Sequence, residues 1–129
     1  MSIIRSNFLN EDIITLTLEN DFYRKELCAG PHGQVVLMSI PIGQTIDREI
    51  HKTDQLFFIV QGSGEVIIND IRSEISPYRL IYVFAGAEHM LKNTGQEEMK
   101  LFTVYAPSQH PEGTIQRTKY EPEQIKHND

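Results

Sequence analysis

Short apolar and β-branched runs recur along the chain at roughly 8–12-residue intervals, each closed by glycine, proline or asparagine, which is the rhythm of an all-β sandwich or barrel. Val35 to Ile40 is a buried-looking run stopped by Pro41-Ile42-Gly43, and Leu56 to Val60 is another, stopped by Gln61-Gly62-Ser63-Gly64. Because Glu65 to Ile68 follows at once, the Gly-Ser-Gly segment reads as a hairpin loop. Asn69-Asp70 then turns the chain into Ile71 to Ile75, where polar and apolar residues alternate as in a half-exposed strand. Leu80 to Phe84, Glu88 to Asn93 and Met99 to Ala106 complete the series, separated by Ala85-Gly86-Ala87 and Thr94-Gly95. Ile13 to Leu18 alternates apolar residues with threonine and joins the β-prone runs. About eight antiparallel strands with no helical segments between them suit a double-sheet jelly roll better than an α/β fold.

The chain of 129 residues fits one domain, with a barrel core over roughly residues 13–106 and a polar tail over 107–129 in which Pro111, Gly113 and Pro122 work against regular structure. The end of the tail, from Lys119, is expected to fray or to form one helical turn around Glu121 to Lys126. Neither repeats nor low-complexity tracts point to a solenoid.

Composition narrows the class. With 40% hydrophobic and 23% charged residues the chain has the make-up of a soluble globular domain, and no apolar run approaches the ~20 residues of a membrane helix. The N-terminus lacks the apolar core and small-residue cleavage site of a signal peptide, so a cytoplasmic location is expected. The single cysteine, Cys28, agrees with a reducing compartment, rules out a Cys-rich zinc site and is expected to be a small buried apolar group. A net charge of −6 and scattered basic residues argue against nucleic acid and anionic membrane as partners.

Candidate chemistry lies between Gly43 and Gln55. On a strand Glu49 and His51 share a face while Ile50 takes the other. Gln55 follows the polar kink Lys52-Thr53-Asp54, which can swing a third group to the same point. His89, just past the Ala85-Gly86-Ala87 turn, is the fourth candidate. A carboxylate, two imidazoles and a neutral amide form a mixed N/O set suited to one divalent ion of Fe, Mn, Ni, Co or Zn rather than Ca, and two histidines with one carboxylate leave positions open for substrate. Glu-x-His alone is more often a surface pattern than a metal site.

The order of motifs carries the identification further. Gly43 to Gly62, with Glu49, His51, Gln55 and Phe57-Phe58-Ile59-Val60-Gln61-Gly62, resembles the first motif of the cupin superfamily. Tyr78 to Asn93, with Gly86, His89 and Asn93, resembles the second. The resemblance implies an all-β cupin double-stranded β-helix, a jelly-roll barrel of one domain, with Glu49, His51, Gln55 and His89 as metal ligands. This chain departs from the usual pattern at four places: Glu49 stands for the first histidine, Gln55 for a glutamate, Tyr78 for the opening glycine and Phe84 for a proline. The first two exchanges keep ligating atoms. Together with the tail Val104 to Thr114, the run Glu49-Ile50-His51-Lys52 with Asp54-Gln55-Leu56-Phe57 is similar to short bacterial cupins described as mannose-6-phosphate-isomerase-like, a description that transfers fold rather than reaction.

Other residues are expected to play smaller parts. His110 reads as surface, or as a substrate contact if the tail folds back to the mouth. His32 reads as a turn residue and His127 as solvated. Glu88 and Arg48 are out of phase with the ligand face. Phe57, Phe58, Tyr82, Phe84, Phe102 and Tyr105 read as core and interface residues, with Tyr82 or Tyr105 a proton donor if it faces inward.

The expected function is a metal-dependent enzyme on a small oxygenated substrate such as a sugar, a sugar phosphate, or a hydroxy or keto acid, isomerase-like, with Glu49 as ligand or catalytic base. An Fe(II)-dependent dioxygenase and a non-catalytic small-molecule binding or sensor module are the alternatives. A homodimer formed through an outer sheet face is expected.

Overall fold

The structure, a computed structural model, describes residues 7–125. Among these, one helix, α1 (Ile13–Glu19), precedes eleven strands: β1 (Arg24–Gly30), β2 (Gly33–Ile40), β3 (Thr45–Ile50), β4 (Asp54–Gln61), β5 (Gly64–Ile68), β6 (Ile71–Ile75), β7 (Leu80–Val83), β8 (Glu88–Asn93), β9 (Met99–Ala106), β10 (Thr114–Gln116) and β11 (Gln124–Ile125). They form a seven-stranded sheet in the order β11-β10-β1-β2-β9-β4-β7 and a four-stranded sheet in the order β3-β8-β5-β6. The pairings are antiparallel, as the jelly-roll expectation requires. No described helix is long and apolar enough to cross a membrane.

Alternation builds the core between the sheets. Val36, Met38 and Ile40 of β2, Phe57 and Ile59 of β4, and Leu101 of β9 meet Ile46, Val66 and Leu91 from the smaller sheet, all essentially inaccessible to water. Removing such a side chain from water contributes about 1.5–3 kcal/mol.

Several expectations are corrected. Ile13 to Leu18 lies in a helix, not a strand, because Asp12 caps it: Thr15 N and Oγ1 donate to the Asp12 carboxylate at 3.2 and 2.8 Å, and the buried Thr17 hydroxyl donates back to Ile13 O at 2.7 Å. Gly62-Ser63-Gly64 is not a hairpin loop, since β4 and β5 belong to different sheets and the segment carries the chain from one to the other. Gly64 is needed there, as a Cβ would lie 1.9 Å from the carbonyl oxygen of Lys92. Arg24–Gly30 has no apolar run to announce it, yet it forms β1 between β2 and β10. The tail is not without regular structure: Thr114–Gln116 pairs with β1, and Gln124–Ile125 pairs with β10 in place of a helical turn. Its prolines lie outside both strands. Cys28 is half-buried rather than buried.

Other expected turns form as read. Asn69 and Asp70 both take positive φ (48° and 67°), the backbone of a tight two-residue hairpin, and Pro31-His32 turns β1 into β2.

Candidate metal centre

The smaller sheet supplies two of the four candidate ligands, Glu49 and His89, and the residue just past β3 supplies a third, His51. On β8, alternate residues His89, Leu91 and Asn93 are buried, so His89 faces the barrel interior. The partner strand β3 reaches the same point through an irregularity. Ile46 pairs with Leu91 and Glu49 with His89, so three steps on β3 match two on β8. Strict alternation from the buried Ile46 would turn Glu49 outward; the bulge resets the phase and brings Glu49, and then His51 just beyond the strand, to the inner side. Donor atoms of Glu49, His51 and His89 consequently lie within 4.8 Å of one another.

The turn before His89 is fastened to the segment carrying His51. Gly86 N donates to His51 O at 2.8 Å, and its φ of +88° is a conformation glycine adopts without strain. Asp54 holds the same turn from the other side, accepting from Ala85 N at 2.8 Å and from the Tyr82 hydroxyl at 2.7 Å. Tyr82 therefore faces outward and is not a proton donor inside the barrel.

Hydrogen bonding determines which atoms are free. His89 Nδ1 lies 3.2 Å from Ala87 O; a carbonyl can only accept, so Nδ1 carries the proton and Nε2 presents its lone pair. That Nε2 is buried and has no partner. His51 Nε2 sits 2.5 Å from Glu49 Oε2, but the approach lacks the direction of a hydrogen bond, and the nitrogen is also without a partner. Gln55, 2% exposed on the inner face of β4, donates from Nε2 to Thr103 Oγ1 at 3.0 Å, and Thr103 passes its own proton to Leu56 O at 2.8 Å. Gln55 Oε1 is left buried and unpaired. Each such orphan costs about 1–3 kcal/mol unless something outside the chain pairs with it.

Burial pushes the Glu49 carboxyl up, but His51 beside it, with Arg24 and His89, outweighs that and holds it below its ordinary value. Burial also lowers His89, keeping its imidazole neutral. Both groups are in the protonation state a metal ligand requires.

Glu88 and Arg48 pair with each other on the outer side, as their phase implied. Tyr105 faces inward, its ring edge-on to His51 at 5.9 Å between centroids, and Phe57 packs against His89 at the same separation. His110 is not a surface residue: its side chain is only 10% exposed and contacts Tyr105 and Glu123. His32 is exposed in its turn, and His127 lies outside the described residues. Arg24 and Glu123 escaped the sequence reading, and no local signal marks them, because strand pairing across the whole chain brings them together.

A two-sheet antiparallel barrel with Glu49, His51 and His89 gathered on its inner side has the build of a cupin. The cupin domain family matches residues 36–105, and the chain belongs to that family. It is similar to the uncharacterized protein YrkC of Bacillus subtilis (strain 168), with 40% identity over 110 residues that cover 80% of this chain and 59% of that one. It is also similar to the uncharacterized protein L612 of Acanthamoeba polyphaga mimivirus, with 34% identity over 104 residues covering 77% and 65%. The chain thus spans less than two thirds of the length of these curated relatives. Among solved structures, BH2720 from Bacillus halodurans superposes with a TM-score of 0.85 at 36% identity, covering 86% of this chain and 89% of that one.

Proposed function

We propose that the chain is a metal-binding cupin in which Glu49, His51, Gln55 and His89 hold one divalent ion of Fe, Mn, Ni, Co or Zn, serving an enzyme that acts on a small oxygenated substrate. The observation that carries this reading is that Gln55 Oε1 and His89 Nε2, two of the five buried side-chain heteroatoms without hydrogen-bond partners among the described residues, accompany His51 Nε2 set against a carboxylate held in its charged form. A cation answers Glu49, His51 and His89 at once, their donor atoms lying within 4.8 Å of one another, and Gln55 Oε1 is the fourth donor we assign to it. When bound, the ion supplies Lewis acidity toward the oxygens of a sugar, sugar phosphate or similar molecule.

An isomerase-like reaction is one chemistry that such a site suits. In that reading Glu49 is a ligand, and the residue that moves the proton is a separate group. The test is elemental analysis of the purified chain, followed by incubation of the loaded protein with aldose and ketose phosphates in D₂O. Deuterium entering the carbon beside the carbonyl supports isomerase chemistry; no exchange with any of the five metals overturns it. Glu49→Gln separates the two roles, since a ligand loses metal and a base loses only turnover.

One observation favours a second reading. The gathered group Glu49, His51 and His89 has the two-histidine, one-carboxylate composition of Fe(II) oxygenase sites. Substrate-dependent oxygen consumption by the Fe(II)-loaded protein would select it.

A further inference from the structure

Behind the candidate ligands lies a second polar assembly that runs from the buried Tyr105, the last residue of the stretch that matches the cupin family, to residues outside that stretch, ending at the exposed Glu123. Tyr105, 1% exposed, sits edge-on against His51, and its hydroxyl lies 3.2 Å from His110 Nε2. His110 Nδ1 lies 2.9 Å from Glu123 Oε1. A carboxylate accepts, so Nδ1 carries the proton, and Nε2 accepts from the Tyr105 hydroxyl. Glu123 is held in turn by the buried Arg24, whose Nη1 reaches it at 3.2 Å and donates to Gln116 Oε1 at 2.6 Å. The backbone of His110 is pinned as well. Its N–H donates to Gln34 Oε1 at 3.0 Å and its carbonyl accepts from Gln34 Nε2 at 3.0 Å, with Gln34 itself 1% exposed.

Packing alone does not call for this chain of contacts. A phenylalanine at position 105 would fill the same space without burying a hydroxyl, and the tail could be held by its strand pairing alone. The assembly instead runs without interruption from the tail, through the Tyr105 hydroxyl, to the ring of a candidate ligand. From this geometry we infer that His110 and Glu123 are positioning residues of the metal centre: through Tyr105 they fix the ring of His51, so the tail is part of the site. This inference rests on the metal-binding reading above. Groups that orient a ligand from behind typically change metal affinity about 10–100-fold when removed.

The experiment uses the full chain and Co(II) alone, whose visible absorption reports ligand geometry. Wild type, His110→Ala, Tyr105→Phe, the double variant and His110→Gln are titrated with Co(II). The alanine and phenylalanine variants should each weaken binding about tenfold and shift the visible bands, and the double variant should be no worse than either alone, because both cut one chain. His110→Gln, which can still accept from the tyrosine and donate to Glu123, should restore the wild-type spectrum. Wild-type bands and affinity in both Tyr105→Phe and His110→Ala, whatever their melting temperatures, would overturn the inference and leave the assembly a fastening for the tail. Failure of His110→Gln to restore the spectrum would also overturn it. A wild-type chain that takes up no Co(II) would instead overturn the metal reading and this inference with it.

Discussion

The two ends of the barrel are built on the same strands and filled in opposite ways. On β4 the inward residues run Gln55, Phe57, Ile59; on β9 they run Tyr105, Thr103, Leu101, Met99; on β8 they run His89, Leu91, Asn93. At the end away from the candidate ligands the interior is mainly apolar, and the polar side chain of Asn93 is satisfied: Nδ2 donates to Ile40 O and Glu97 O at 2.9 Å each, and Oδ1 accepts from Gly95 N. At the other end, the buried Gln55 and His89 and the half-buried His51 each leave a heteroatom without a hydrogen-bond partner. One end has its polar side chain paired within the chain, and the other carries the residues proposed to hold a metal ion. On β4 and β8 the proposed ligands and the nearest apolar core residues are separated by only two positions, Gln55 from Phe57 and His89 from Leu91.

The largest effects should divide the two ends. Leu101→Ala, in the apolar end, should cost about 2–5 kcal/mol in denaturant unfolding and leave the number of ions bound per chain unchanged. His89→Ala should do the reverse, weakening Co(II) or Zn(II) binding by roughly a hundredfold or more in a competitive titration while the protein stays folded. A Leu101→Ala chain that lost its metal site while folded would break the division.

Gln55→Leu is the sharper probe because it removes the orphaned oxygen and keeps the volume. Metal-free stability should change by less than about 1 kcal/mol, since an unpaired buried acceptor is lost along with the bond to Thr103. Metal affinity should fall about tenfold.

Acid should act first on the polar end. Burial holds His89 below the ordinary imidazole value of 6.5, so on unfolding it takes up a proton that the folded chain refuses. The stability this confers is complete above that value and is lost as pH falls through the folded-state value. The melting temperature of the metal-free protein should fall between pH 7 and 5.5, and His89→Gln should lessen the dependence, the remainder coming from His110, which burial lowers likewise. The smallest effect concerns Tyr78, where the family usually has glycine. Its φ is +72° and its side chain is 73% exposed, so Tyr78→Gly should raise stability by up to about 1 kcal/mol in thermal unfolding.

Periodicity made much of the barrel legible. Glu88–Asn93 and Met99–Ala106 are strands with the bounds their patterns suggest, and the Asn69-Asp70 turn has the backbone its residues favour. The helix over Ile13–Glu19 was masked because threonine alternation imitates a strand, although Asp12 and Thr15 spell its cap. The site was half legible. Alternation puts Glu49 and His51 on one face, but only the bulge after Ile46 makes that face the inner one, and a bulge is a property of two strands together. Arg24 and Glu123 were illegible for a related reason: they meet across 99 positions of sequence, through strand pairing that no local pattern announces, and His110 was legible only as a surface residue or, with the tail folded back, a substrate contact.

Elemental analysis of the full-length protein, equilibrated with Co(II) or Zn(II) and freed of unbound ion, addresses the metal centre most directly. Wild type should carry about one ion per chain, and a folded His51→Ala/His89→Ala double variant close to none. A folded wild-type chain that holds no ion, or a double variant that holds as much as wild type, would contradict the assignment of these residues as the metal site.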